Sequence, residues 1–128
     1  MPSPSPVRVL VVDDEEDFVK PLAYRLRAWG TEVHLASNGK QALRMIREDP
    51  PDIVFLDINM PELNGPKTLR RLRFFEPKLP VIMLTAHPDD PEVFSNLLRL
   101  GISGFFPKQG DLSGLKVLVE TALKVKLT

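Results

Sequence analysis

The chain has 128 residues, no cysteine, and 17 basic side chains balanced by 17 acidic ones, so its formal net charge is zero. This length favours one domain, and 43% hydrophobic with 27% charged residues is typical of a chain with a buried core. The composition excludes disulfides, thiolate metal sites and a cysteine nucleophile, and it fits a protein of a reducing compartment such as the cytoplasm. Zero net charge argues against direct nucleic-acid binding. No apolar run approaches the roughly 20 residues of a membrane span.

In chain order, a Pro/Ser stretch over 1–6 is expected to be a disordered lead-in, and a single domain is expected over 7–126. Apolar runs predict strands, and apolar residues at helical spacing predict helices. The predicted strands are 7–12, 31–36, 53–56, 81–84 and 104–106. The predicted helices alternate with them and are 17–29, 38–47, 66–75, 91–100 and 115–125. This alternation requires a parallel sheet with right-handed crossovers and helices on both faces, an α/β fold.

Polar side chains stand where the predicted strands end. The first strand ends on Asp13 and Asp14, the third on Asp57, and the fourth on Thr85. Lys108 follows the fifth strand. Because ligands of open parallel sheets bind outside the carboxyl ends of the strands, we expect these five side chains to meet at one edge of the sheet.

Three carboxylates in one pocket repel each other and need a compensating cation. Mg²⁺ fits, with Mn²⁺ as the alternative, because it binds through one or two carboxylates, keeps waters and takes further ligands from a phosphate. Lys108 supplies a second positive charge, and the Thr85 hydroxyl can donate to an anionic oxygen. This set of groups suits the placement of a phosphoryl group on an aspartate.

Four segments make the sequence resemble the receiver domain of two-component response regulators of the chemotaxis-regulator type, from about residue 7 to 125. The segments are VLVVDDE at 9–15, VFLDINMPELNG at 54–65, VIMLTA at 81–86 and GFFPK at 104–108. Each segment alone is a weak signal, but all four in this order are specific. The resemblance implies a flavodoxin-like parallel sheet of five strands in the order 2-1-3-4-5, with five helices on both faces.

The resemblance also implies a phosphorylation-dependent signalling switch rather than a metabolic enzyme. Asp57 matches the residue that accepts a phosphoryl group, in a Mg²⁺-dependent reaction, from a histidine kinase or a phosphotransfer protein. Self-dephosphorylation is expected to follow. Asp13 and Asp14 match the pair that binds Mg²⁺ together with the phosphoacceptor, and the backbone carbonyl of Asn59 matches a further ligand.

Further matches concern the response to phosphorylation. Thr85 matches a switch hydroxyl, and Lys108 matches a lysine that contacts the phosphoryl group, although glutamine follows it where the family often has proline. Phe105 matches a switch aromatic that is often tyrosine; without the hydroxyl, we expect an inward bias of its ring. Asn59 and His87, two residues beyond Asp57 and Thr85, match positions that tune the lifetime of the phosphoryl group.

The implied output face consists of the fourth helix, the fifth strand and the fifth helix. It would contact a downstream output protein or a fused output domain, and a homodimer through this face is a further expectation. No direct contact with nucleic acid or with a membrane is expected. The basic cluster within 67–78 is expected to be a solvated helix face, with a kinase or partner contact as the alternative. The sequence leaves open whether the chain is a complete regulator or a receiver from a longer protein.

Three other functions remain as alternatives. A phosphatase resembling the haloacid dehalogenase group would need a carboxylate two residues after Asp57, where Asn59 stands. A flavin-binding carrier would need a hydroxyl- and glycine-rich phosphate loop after the first strand, where five acids stand at 13–17. A degenerate receiver that only docks partners is disfavoured because all five side chains at the strand ends are intact.

Overall fold

The computed structural model describes residues 5–86 and 90–128, in which five strands alternate with five helices. The strands are β1 (Arg8–Val12), β2 (Glu32–Ala36), β3 (Ile53–Asp57), β4 (Val81–Thr85) and β5 (Gly104–Pro107). The helices are α1 (Glu16–Ala28), α2 (Gly39–Glu48), α3 (Gly65–Phe75), α4 (Pro91–Arg99) and α5 (Leu115–Leu123). Each predicted element is present, with bounds within two residues of the prediction. The predicted lead-in lies largely outside the described residues.

The five strands form one parallel sheet in the order β2-β1-β3-β4-β5. This order confirms the predicted α/β fold class and the flavodoxin-like topology. All residues of β3 and β4 are buried, because these central strands are covered on both faces. The edge strand β2 instead leaves three of its five residues exposed. None of the described helices is both long enough and apolar enough to cross a bilayer.

The helices divide between the two faces of the sheet, and each face has its own apolar core. On one face, α1 and α5 contribute buried residues such as Leu22 and Val119. On the other face, α2, α3 and α4 contribute Ile46, Leu69 and Leu97. This arrangement leaves the edge formed by the carboxyl ends of the strands uncovered by helices, so polar groups can be placed there.

Arg73, in the last turn of α3, is a structural residue of this fold. Its guanidinium donates hydrogen bonds to the backbone carbonyls of Leu100, Glu76 and Leu79 at 2.8–3.0 Å, and to that of Gly101. These carbonyls belong to the segments before β4 and β5, where the sheet ladder offers them no partner. Partial burial lowers the pKa of Arg73. The prediction of a solvated face over 67–78 is therefore wrong for this residue.

Arg73→Met is expected to lower the free energy of unfolding by about 2–4 kcal/mol, because it leaves several carbonyls without their charged donor. Urea unfolding measures the effect. Arg71→Met, two residues earlier on an exposed position of the same helix, is the matched control and is expected to change the stability by less than about 0.5 kcal/mol. Equal losses for the two variants would contradict the structural role of Arg73.

Candidate functional site

The carboxyl ends of the strands bring the predicted side chains to one edge of the sheet. Asp13 directly follows β1, Asp57 and Thr85 are the last residues of β3 and β4, and Lys108 directly follows β5. Carboxylate oxygens of Asp13, Asp14 and Asp57 all lie within 4.8 Å of one another. We call this cluster of three carboxylates, with Thr85 and Lys108 beside it, the acidic edge.

Two of the three carboxylates are removed from solvent. The side chain of Asp13 is 0% exposed and that of Asp57 is 2% exposed, whereas Asp14 is exposed. Asp13 Oδ1 accepts a hydrogen bond of 2.9 Å from the backbone N–H of Glu15. Asp57 Oδ1 accepts one of 3.1 Å from the backbone N–H of Asn59. Each buried carboxylate is thus oriented by a backbone donor two residues further along the chain.

The Lys108 side chain extends from the end of β5 and lies close to both buried carboxylates. Its Nζ lies 2.9 Å from Asp13 Oδ2, at an angle unlike that of a hydrogen bond, and 3.3 Å from Asp57 Oδ2. Its backbone N–H donates a 2.8 Å hydrogen bond to the carbonyl of Thr85, so the loop continues the pairing of β5 with β4. The lysine is therefore held at the acidic edge although glutamine, not proline, follows it.

Glu15 is a residue of this site that the sequence analysis missed. Its carboxylate pairs with the Lys108 ammonium, and the ring centroid of Phe18, three residues later, lies 5.2 Å from the same nitrogen. Burial lowers the pKa of Lys108, but its hydrogen bond with Glu15, its ion pair with Asp13 and the negative charge of Asp57 outweigh that effect and raise the pKa. The signal in the sequence was the position of Glu15 next to Asp14, but it was hidden in a run of five acids.

Burial and neighbouring charges also shift the pKa of Asp57. Burial raises the pKa of Asp57 first and the charge of Asp13 raises it further, to about 6. The charge of Lys108 and the backbone N–H of Asn59 oppose this shift. Another carboxylate nearby makes this carboxyl group difficult to ionise, and a bound cation would stabilise its charged form.

Gly65 lets the start of α3 pack directly against the end of β3. A Cβ atom at this position would overlap the backbone carbonyl oxygen of Asp57 and lie 2.8 Å from the Cα of Ile58. The Gly65 N–H instead donates a 3.0 Å hydrogen bond to the carbonyl of Ile58. This close approach holds the loop that carries Asn59 against the acidic edge.

The donor set fits a hard divalent cation. Asp13, Asp14 and Asp57 offer carboxylate oxygens within one ion's reach, and such oxygens are the protein ligands that Mg²⁺ prefers. The backbone carbonyl of Asn59 as a further ligand stays a prediction.

Phe105, a predicted switch residue, does not belong to the cluster of three carboxylates. Phe105 on β5 is partly buried, and its ring packs on Phe94 of α4 with centroids 4.1 Å apart and ring planes at 31°. Its role in switching stays a prediction. His87 lies outside the described residues, so its predicted effect on phosphoryl lifetime is a prediction as well.

A family model described as the response regulator receiver domain matches residues 9–120. The chain belongs to this family. It is 37% identical over 119 residues to the regulatory protein AtoC of Escherichia coli (strain K12), covering 93% of this chain and 26% of AtoC. It is also 37% identical over 119 residues to the response regulator MprA of Mycolicibacterium vanbaalenii, covering 93% of this chain and 51% of MprA. The chain thus spans about a quarter to a half of these two relatives.

Solved structures agree with this assignment. The crystal structure of a response regulator from Chloroflexus aurantiacus superposes with a TM-score of 0.87 at 29% identity, covering 94% of this chain and 99% of the other. This receiver domain therefore shares the whole architecture of that protein.

The raised pKa of Asp57 predicts how stability depends on pH. Its folded-state pKa of about 6 exceeds the ordinary value of about 4, so the folded protein binds the proton more tightly than the unfolded chain. The contribution of Asp57 to the free energy of unfolding therefore falls as the pH rises from about 4 to about 6. Asp57→Asn removes this cost and leaves Lys108 paired with Asp13 and Glu15.

In urea unfolding with a metal chelator, we expect Asp57→Asn to be more stable than the wild type by about 1 kcal/mol near pH 7, with no gain below about pH 4. This figure is well below the full pKa shift because the acidic edge is open to solvent beside Asp14. Asp17→Asn, an exposed position in the first turn of α1, is the control and is expected to give no gain. A gain for Asp57→Asn that is independent of pH would contradict this explanation.

Proposed function

We propose that this receiver domain is a phosphorylation-dependent signalling switch in which Asp57 accepts a phosphoryl group from a histidine kinase or a phosphotransfer protein. The observation that supports this most strongly is the contact of the Lys108 ammonium with the buried carboxylates of Asp13 and Asp57 at the acidic edge. Membership of the receiver family supports the same function.

The proposed reaction needs positioning and charge compensation more than covalent chemistry. A carboxylate oxygen of Asp57 forms a bond to phosphorus while the bond from phosphorus to the donor nitrogen breaks, which leaves an acyl phosphate and a free imidazole. Lys108 contacts an oxygen of the transferred group, and the Thr85 hydroxyl donates to another. Thr85 ends β4, which pairs with β3, and the Lys108 ammonium already lies 3.3 Å from Asp57 Oδ2, so neither group needs a long-range movement.

Asp13, Asp14 and Asp57, with the backbone carbonyl of Asn59, would hold Mg²⁺ or Mn²⁺. The bound cation would neutralise negative charge on the carboxylates and on the phosphoryl oxygens. Asp13 is the inner ligand of this set because its side chain is fully buried and is oriented by a backbone N–H. Asp14 is exposed and lies on the solvent side of the cluster.

The proposed response runs from Thr85 through Phe105 to the face formed by α4, β5 and α5. The ring of Phe105 packs on Phe94 of α4, so a change in its orientation would alter the contact between β5 and α4. Exposed apolar side chains on α4 and α5, Leu98 at 61% and Val117 at 65%, suit this face to a partner. The partner would be an output protein, a fused output domain or a second copy of the chain.

Further details belong to the same proposal. Asn59 and His87 would set the rate of self-dephosphorylation, and the chain would catalyse no other reaction. The domain would span 7–126 and would act in the cytoplasm.

A small phosphodonor with Mg²⁺ tests the phosphoacceptor. Intact mass is expected to show the gain of one phosphoryl group by the wild type and no gain by Asp57→Ala. Asp111→Ala, an exposed aspartate on the loop before α5, is the control and should gain the group normally. Removal of Mg²⁺ with a chelator is expected to abolish the gain. A gain that persists in Asp57→Ala would refute the assignment.

Glu15→Gln is expected to speed phosphorylation by the same donor by about two- to fivefold, since exposed charge pairs have small effects. The substitution removes the carboxylate that competes for Lys108 and that repels an anionic donor. Glu16→Gln is the matched control, because Glu16 lies next in sequence and its carboxylate is 3.8 Å from Lys20 Nζ, not at Lys108. Equal acceleration in both variants would show that only overall charge matters.

A further inference from the structure

Positive charge is concentrated on two neighbouring helices, although the chain as a whole is neutral. The segments of α2 and α3 contain seven basic residues and one acidic residue, Glu48. The basic residues are Lys40, Arg44, Arg47, Lys67, Arg70, Arg71 and Arg73. Arg73 is turned to backbone carbonyls, and the other six are exposed.

A groove of about 710 Å³ runs between α2 and α3, and we call it the α2–α3 groove. Its apolar lining comes from Leu43 and Phe74, and its basic lining comes from four residues, with Glu48 beside them. The four basic residues are Lys40, Arg44, Arg47 and Arg71. Phe74 is 85% exposed, more than any other large hydrophobic side chain in residues 5–86 and 90–128.

The positive charge of the groove is not neutralised within the described part of the chain. None of its four basic residues there has a carboxylate oxygen within 4.0 Å, whereas Arg8, Lys20 and Lys108 each have at least one. The Arg47 guanidinium stacks on the ring of Phe75 at 4.5 Å, which fixes its position without neutralising it. Cations without carboxylate partners beside an exposed aromatic ring are typical of a surface that binds an acidic partner.

We propose that the α2–α3 groove docks an acidic segment of a partner protein, with an apolar side chain of that segment covering Phe74. The groove includes no residue of α4, β5, α5 or the acidic edge, so this contact is separate from phosphorylation and from the proposed output face. The lining residues of α2 run from Lys40 to Glu48, about 12 Å along the helix, which matches at least two turns of a partner helix. Carboxylates of the segment meet the arginines along both sides.

A protein segment explains the groove better than a nucleic acid or a membrane. Leu43 and Phe74 line the same groove as the arginines, and the phosphate backbone of a duplex would leave this apolar surface uncovered. A bilayer would require a broader apolar face than one exposed ring. An amphipathic acidic segment covers both the ring and the charges, as in other helix-in-groove contacts.

A fluorescein-labelled peptide about three helical turns long, with glutamates on one face and leucines on the other, is the probe for this groove. Fluorescence anisotropy is expected to show binding to the wild type, with affinity weakened about tenfold or more by Phe74→Ala and by Arg71→Glu. Arg25→Glu, a charge reversal on an exposed position of α1, is the matched control and should change the affinity by less than about twofold.

Several results would overturn the proposal. Absence of peptide binding to the wild type, unchanged affinity in Phe74→Ala, or an equal loss in Arg25→Glu would each do so. So would equal binding of a peptide with glutamine in place of every glutamate. Tighter binding of single-stranded DNA or of phosphatidylglycerol vesicles that depends on Arg71 would assign the groove to those ligands instead. Unchanged thermal unfolding and unchanged phosphorylation by a small donor verify that each variant is folded.

Discussion

The repulsion between the buried carboxylates of Asp13 and Asp57, offset by the Lys108 ammonium, is the constraint on which the site depends. The carboxylates are almost fully shielded from water, and Lys108 Nζ lies within 3.3 Å of both. This arrangement requires β1, β3 and β5 to end at the same edge of one parallel sheet. The parallel topology of the domain therefore brings the Lys108 ammonium next to the two carboxylates whose repulsion it offsets.

The surrounding backbone makes that arrangement rigid. Backbone N–H groups of Glu15 and Asn59 orient the two carboxylates, and Gly65 allows α3 to begin directly against the end of β3. Arg73 anchors the segments that lead into β4 and β5 at the opposite end of α3. Basic side chains therefore have two roles here. Lys108 offsets the negative charge of the acidic edge, and Arg73 donates hydrogen bonds to the carbonyls of the loops.

Net neutrality conceals a separation of charge. Acids collect at the ends of the strands, and bases collect on α2 and α3, where no residue of the acidic edge lies. This separation places the cluster of carboxylates and the basic groove on different elements of one small domain.

The sequence by itself determined the fold class, the strand order implied by the resemblance, and the residues at the strand ends. It could do so because the buried central strands are apolar runs that stop abruptly at polar residues. It did not reveal that Glu15 pairs with Lys108, 93 residues away. Nor did it reveal that Arg73 donates hydrogen bonds to the backbone carbonyls of Leu100 and Gly101 instead of facing solvent. Only the tertiary structure decided these contacts, because local periodicity determines which face a side chain occupies but not which distant group it meets.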